Sequence, residues 1–136
     1  MGKRMKIKIG QKKSLVKTFE FNTIKHFAEI SGDDNPIHLD KDYAKNTSFG
    51  KCIAQGMLVS SMFSNIIGNL LPGPGSIYLS QTLNFKKPVF VGDTVTAFVE
   101  VLDIREDKPI VTLKTWCENI DENIVIDGEA VVFISG

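Results

Sequence analysis

The segment from Gln55 to Leu71 constrains the fold more than any other part of the sequence. Its apolar residues recur at spacings of three and four, and they cover most of the circumference of a helix: Met57, Leu58, Val59, Met62, Phe63, Ile66, Ile67, Leu70 and Leu71. A helix that is apolar on most sides is stable when other elements cover it. Prolines and glycines over residues 72–75 end it, because proline lacks an amide hydrogen and glycine favours turns. The sequence therefore predicts a long buried helix over about residues 55–71.

The sequence after this helix is typical of β-strands. Val, Ile, Thr and Phe are frequent over residues 76–86, 89–91, 94–104, 109–119 and 124–134. Short turn-forming segments separate these runs, and short connections imply antiparallel neighbours. We therefore expect a single α+β domain over residues 1–136, in which a meander of antiparallel strands surrounds one helix.

The first forty-five residues read as shorter elements. Alternation of apolar and polar residues over 5–9 and 14–21 suits half-buried strands or extended arms. A helix is expected from a cap at Asn22 or Thr23 to about Ile30, with Gly32 as its stop. A second short helix is expected over residues 41–45, capped by Asp40. Residues 31–40 are then a constrained loop.

Composition excludes several classes of function. The 136 residues include 16 basic and 16 acidic side chains without a long run of either sign, which disfavours nucleic acid and anionic membranes as partners. No apolar window is long enough for a membrane span, and the basic start is not followed by an apolar signal segment, so a cytoplasmic location is expected. Cys52 and Cys117 lack the spacing of metal ligands, and we expect two reduced thiols and no metal site.

The loop holds the residues that most resemble a catalytic site. Asp33 and His38 lie five residues apart around Asn35 and Pro36. A carboxylate and an imidazole in a stiff turn can share one water molecule as an acid/base pair. Taken alone, the pattern is more often a loop cap and a packed histidine. Metal binding by Asp33, Asn35, His38 and Asp40 fits no recognised ligand spacing.

Three blocks together carry a family resemblance that covers nearly the entire chain. They are Gly32-Asp33-x-Asn35-Pro36-Ile37-His38, then Gln55-Gly56-Met57-Leu58, then the strand and turn over residues 83–93. In order and spacing they resemble the R-specific enoyl-CoA hydratases of the MaoC-like, hot-dog-fold group. The resemblance is closest to the short bacterial enzymes that supply polyhydroxyalkanoate synthesis.

This resemblance implies a hot-dog fold, an antiparallel sheet wrapped around a central helix, with the active site at or near a homodimer interface. It implies reversible syn hydration of a trans-2-enoyl-CoA to the (R)-3-hydroxyacyl-CoA, without a metal or redox cofactor. Asp33 and His38 fall on the family's catalytic pair. Gly56 falls on the position whose backbone N–H binds the thioester oxygen, and Ser64 on a helix hydroxyl that lines the pocket.

The chemistry of hydration adds detail to these roles. Asn35 is expected to fix the catalytic water, with Asp33 as the base and His38 as the proton donor to Cα. Many relatives have His before the glycine, whereas this chain has Gln55, which cannot titrate and is given no acid/base role. A single hot-dog unit predicts short- to medium-chain substrates.

Alternatives stay open at the level of sequence. A hot-dog thioesterase would direct water at the thioester carbonyl, and a non-catalytic acyl-CoA-binding module would bind without turnover. Lys86 and Lys87 fit either a contact with coenzyme A phosphates or ordinary exposed lysines at a strand end. The direction of the reaction, the choice between coenzyme A and a carrier protein, and the chain-length limit do not follow from the sequence.

Overall fold

The computed structural model describes residues 6–136 as an antiparallel sheet with four helices. In chain order the elements are β1 (Lys12–Thr18), α1 (Phe21–Ser31), α2 (Pro36–Leu39), α3 (Lys41–Lys45), α4 (Gly56–Asn69), β2 (Ser76–Gln81), β3 (Asn84–Phe85), β4 (Thr94–Ile104), β5 (Ile110–Asn119) and β6 (Ile124–Ile134). Within these residues, no helix has the length and apolar character needed to cross a membrane.

The sheet has the strand order β1-β4-β5-β6-β2, and the short strand β3 also pairs with β6. All of these pairings are antiparallel, as the short connections predicted. Strands β2 and β3 follow each other along the same partner strand, and β2 forms one end of the sheet. The backbone groups on the outer side of β2 are therefore available to another strand.

Helix α4 packs on one face of this sheet and supplies the centre of the core. It contacts β4, β1 and β2, and its buried residues form one apolar cluster with the inward-facing residues of the strands. Strand β4 shows the alternation that this requires, with Val95, Ala97, Val99 and Val101 buried. A sheet wrapped around one helix is the hot-dog arrangement that the resemblance implies, and the α+β prediction is confirmed.

Helix α4 is buried on fewer sides than predicted. Leu58, Val59, Met62, Phe63, Ile66 and Ile67 are buried, but Met57 is 59% exposed and Leu70 is 43% exposed. Ser61, Ser64 and Asn65 are also exposed, so one long face of the helix is open in the single chain. Its bounds, Gly56–Asn69, lie close to the predicted 55–71.

Several short elements differ from the prediction. Of the predicted segment 5–9, Met5 lies outside the described residues and 6–9 is not a strand, because the chain turns at Gly10 with φ +90° before β1 begins. Helix α1 begins at Phe21, inside the predicted strand, and its N-cap is Glu20 rather than Asn22 or Thr23. Residues 89–91 form only an isolated bridge, between Phe90 and Ile53.

The predicted strand over 76–86 is divided in two by an interruption at residues 82 and 83, although the chain keeps its direction along β6. The Thr82 amide donates to the Glu129 carbonyl at 2.8 Å, and its hydroxyl accepts from the Glu129 amide at 2.9 Å. Gly128 makes room for Thr82 beside β6, since a Cβ there would overlap the carbonyl oxygen of Thr82. The segment between β2 and β3 is therefore held tightly against β6.

Both cysteines are free thiols and both are buried. Burial raises the pKa of Cys117 to about 12 and also raises the pKa of Cys52. Because the thiolate is the reactive form, neither group has the low pKa of a nucleophilic cysteine.

Candidate active site

A cavity of about 420 Å³ opens beside the first turn of α4. Most of its lining is apolar, and α2, α4, β3 and the segments around residues 49–54 and 86–89 all contribute to it. The lining residues are His38, Phe49, Ile53, Ala54, Gly56, Met57, Val59, Phe85, Lys86, Lys87, Pro88, Val89 and Ile126. An apolar cavity with a few convergent polar groups is the usual form of a small-molecule site.

The loop before this cavity is more regular than predicted, since it contains the one-turn helix α2. Gly32 ends α1 with φ +80°, a conformation that glycine adopts without strain. Asn35 caps α2, with its side-chain oxygen accepting from the Ile37 amide at 3.3 Å, and Pro36 occupies the first helical position. Asn35 therefore has a capping role, and its predicted contact with the catalytic water stays a prediction.

Helix α2 directs His38 into the cavity. The residue is only 8% exposed, and its Nδ1 lies 2.7 Å from the carbonyl oxygen of Ile53. Because a carbonyl only accepts, this contact requires the ring hydrogen on Nδ1. Nε2 of the neutral ring then carries a lone pair, and it faces Asp33.

Asp33 completes the predicted pair. Its Oδ2 lies 4.0 Å from Nε2 of His38, and its side chain is 48% exposed. This separation exceeds a hydrogen bond, but a water molecule at roughly 2.8 Å from each atom fits between them. Such a water would donate one hydrogen to the imidazole and one to the carboxylate.

Gly56 is the first residue of α4, and it lines the same cavity as His38. Its amide lies in the first helical turn, where backbone N–H groups have no partner within the helix and the helix dipole is positive. A Cβ at this position would lie 2.6 Å from Cε1 and 2.7 Å from Cδ1 of Phe85. The prediction was that a side chain would crowd the approach of the substrate; the structure adds that the Phe85 ring already occupies that space.

Gln55 is a buried connection between two helices. It is 1% exposed, and its Nε2 donates to the carbonyl oxygen of Ile24 in α1 at 3.0 Å. Its Oε1 is buried without a hydrogen-bond partner among the described residues. Gln55 therefore fixes α1 against the start of α4, directly beside Gly56.

Of the predicted site residues, His38 and Gly56 line the cavity, whereas Asp33, Asn35 and Ser64 are not part of its lining. Ser64 is exposed on α4 in the single chain. Sequence reasoning also missed two groups of the cavity, Phe85 and the carbonyl of Ile53. The Phe85 side chain belongs to the block over residues 83–93 that carried the resemblance, whereas no side-chain pattern reports where a carbonyl points.

Comparisons with known proteins show the family of this chain. A family model described as a MaoC-like domain matches residues 4–122. The (R)-specific enoyl-CoA hydratase of Aeromonas caviae is 51% identical over 126 residues, which are 93% of this chain and 94% of that protein. The (R)-specific enoyl-CoA hydratase of Rhodospirillum rubrum is 47% identical over 128 residues, covering 94% and 88%.

The fold agrees as closely as the sequence. The solved structure of the Aeromonas caviae (R)-hydratase involved in PHA biosynthesis superposes with a TM-score of 0.93 at 50% identity, over 94% of this chain and 97% of that one. The family model and the close relatives both span most of the sequence, and this chain belongs to the MaoC-like family.

Proposed function

We propose that this chain is an R-specific enoyl-CoA hydratase, a hydro-lyase that adds water reversibly to trans-2-enoyl-CoA and forms (R)-3-hydroxyacyl-CoA. The observation that carries the proposal is the facing pair of His38 Nε2 and Asp33 Oδ2, beside a cavity that also contains the first turn of α4. Relatives of that activity match almost the full length of the chain.

His38 and Asp33 act on one water molecule, and one proton of that water is transferred on a single face of the substrate. The shared water forms a bond from its oxygen to Cβ, and the carbon–carbon π electrons move toward the thioester oxygen. The proton released by the water passes to Nε2 of His38 and then to Cα, which restores the thioester carbonyl. His38 thus becomes the proton donor predicted from the sequence only after it has accepted a proton, because its resting hydrogen lies on Nδ1.

Asp33 holds the second hydrogen of the water and stabilises the imidazolium that forms beside it. This assigns the first proton acceptance to His38, where the sequence suggested Asp33. The reaction uses water and protein groups, and we propose that it needs no metal or redox cofactor.

The Gly56 amide is the proposed donor to the thioester oxygen. Negative charge develops on that oxygen while the enolate exists, and an amide at a helix N-terminus is oriented toward such charge. One donor of this kind is worth roughly 3 kcal/mol in the transition state.

We also propose that the enzyme is a homodimer. Apolar side chains are exposed along the free edge strand β2, where Ile77 is 52% and Leu79 is 54% exposed, and at Met57 on the open face of α4. A second copy that covers these surfaces would bury them and bring the exposed Ser64 into an interface, which fits its predicted place in the substrate pocket. Short- to medium-chain substrates and a cytoplasmic location stay predictions.

An assay with crotonyl-CoA tests the function directly. Hydration removes the enoyl absorbance without releasing free thiol, and chiral analysis of the product should give the R isomer. Release of thiol would identify a thioesterase instead, and tight binding without turnover would identify a binding module.

The catalytic pair has its own test. Asp33→Asn and His38→Ala should each lower kcat by about 10²–10⁴-fold, because the first removes the negative charge that stabilises the imidazolium and the second removes the proton acceptor. Circular dichroism and oligomeric state should remain those of the parent protein. Unchanged turnover in either variant would contradict the proposed pair.

A further inference from the structure

The cavity lining has a charge imbalance that the acid/base pair does not use. Lys86 and Lys87 are its only residues with a permanent charge, and both are cationic, whereas the whole chain has a formal net charge of zero. Among residues 6–136, neither lysine has a carboxylate within the 4.0 Å of an ion pair. The edge of the cavity is thus a local positive site on a neutral protein.

The backbone beneath these lysines is fixed although their side chains are exposed. The amides of Lys86 and Lys87 both donate to the carbonyl oxygen of Val125, at 2.8 Å and 3.3 Å. Pro88 follows, which restricts the conformation of Lys87. Strand β6 therefore fixes the backbone of both lysines at the cavity that His38 and Gly56 also line, and their exposed side chains extend from there.

The substrate carries negative charge away from its reacting atoms, and this charge is complementary to the two lysines. When the thioester lies against Gly56, the carrier end of the molecule must leave through the exposed side of the cavity. The pantetheine portion is uncharged, and the anionic groups of coenzyme A are its phosphates beyond that portion. Lysine binds phosphate as a point charge without demanding a particular geometry.

We propose that Lys86 and Lys87 bind the phosphates of the coenzyme A portion and select acyl-CoA over uncharged thioesters. This inference rests on the proposed hydratase function and adds the residues that recognise the carrier. They are specificity residues, since they contact the substrate away from the reacting carbons.

The test compares two substrates that share the reacting group. Crotonyl-CoA and crotonyl-pantetheine are assayed with the parent enzyme and with the Lys86→Ala/Lys87→Ala double variant. We expect kcat/KM for crotonyl-CoA to fall about tenfold, mainly through KM, because two exposed charge contacts are lost. The value for crotonyl-pantetheine should stay within about twofold, since that substrate carries no phosphate for the lysines to bind.

Lys13→Ala/Lys17→Ala is the matched control. It removes the same charge from exposed positions on β1 that do not line the cavity, and it should leave both substrates unaffected. Lys86→Arg/Lys87→Arg should retain the crotonyl-CoA value. Added salt should raise KM for crotonyl-CoA in the parent enzyme and much less in the alanine variant.

The outcomes separate this inference from the function on which it rests. A parent enzyme that hydrates neither thioester contradicts the hydratase proposal. With an active parent, an unchanged crotonyl-CoA value in the alanine variant, or an equal loss with both substrates, overturns phosphate binding. Comparison with 3′-dephospho-crotonyl-CoA assigns the contact to the 3′-phosphate if the loss disappears, and to the pyrophosphate if it persists.

Discussion

At the residue scale, the site depends on how His38 uses its two ring nitrogens. His38 uses Nδ1 to bind the Ile53 carbonyl, and this leaves Nε2 for Asp33 and water. The same bond fixes the orientation of the ring, so that the acceptor is directed into the cavity. A histidine free to rotate would spend part of its time with the wrong nitrogen facing the substrate.

Gly56 gives a residue-scale prediction. Gly56→Ala should lower kcat/KM by about tenfold or more, because the new methyl group displaces the Phe85 ring, which lines the same cavity. Such overpacking also costs about 1–3 kcal/mol in folding stability. Gly56→Ala/Phe85→Ala should recover part of the loss, since the ring is no longer there to be displaced. Steady-state kinetics with crotonyl-CoA measure both.

A glycine on the same helix provides the control. A Cβ at Gly68 would meet nothing within 4 Å, so Gly68→Ala should keep full activity and gain up to about 1 kcal/mol in stability from helix propensity. If the double variant were no better than Gly56→Ala, the loss would not arise from Phe85.

At the element scale, Gln55 joins α1 to the start of α4. Gln55→Glu should lower the free energy of unfolding by about 2–4 kcal/mol at pH 8, because a carboxylate cannot donate to the Ile24 carbonyl and its charge is buried. Burial raises the pKa of such a carboxyl in the folded state above its unfolded value. Stability is therefore lost as pH rises from the unfolded pKa through the raised folded pKa, and the deficit should shrink between pH 8 and pH 5.

Urea unfolding at the two pH values measures this deficit. The control is Gln11→Glu, the same substitution at a site where the side-chain oxygen is the acceptor, from the Lys8 amide, so a carboxylate keeps the bond. Equal stability of Gln55→Glu and the parent protein at pH 8 would mean that the Gln55 contact does not hold the two helices together.

At the scale of the whole molecule, the exposed apolar surface predicts how two copies associate. Ile77→Lys on the free edge strand β2 should shift the dimer toward monomer, because a buried ammonium group at a strand-to-strand interface is costly. Sedimentation velocity over a range of concentrations measures the shift. Ile120→Lys is the control, since Ile120 is 79% exposed in the β5–β6 connection. Loss of dimer in both variants, or in neither, would contradict an interface at β2.

Local sequence signals predicted the fold well where neighbours in the chain decide the structure. The long helix, its end near residue 70, the cap at Asp40 and the strands β4, β5 and β6 followed from periodicity and capping chemistry. The interruption of the predicted strand over 76–86 did not, because it lies where Thr82 packs closely against Gly128, a residue more than forty positions away. Contacts between distant segments leave no period in the sequence.

In the candidate site, too, local features were predicted from the sequence and contacts between distant segments were not. Spacing indicated Asp33 and His38 because both belong to one turn. The partner of His38 Nδ1 is a backbone carbonyl fifteen residues later, and the neighbour of Gly56 is a ring on β3. Neither contact could be predicted from the sequence, since each forms only when the segment around Ile53 and strand β3 pack beside α2 and α4.

Gly128 does not line the cavity, yet it influences the shape of that cavity. Its bare α-carbon lets Thr82 lie against β6, and this close approach positions the segment that continues to Phe85, Lys86 and Lys87. A methyl group on Gly128 would push this segment away from β6. We therefore expect catalytic efficiency to depend on the absence of a side chain at Gly128 on β6. A search limited to residues that contact the substrate would overlook this dependence.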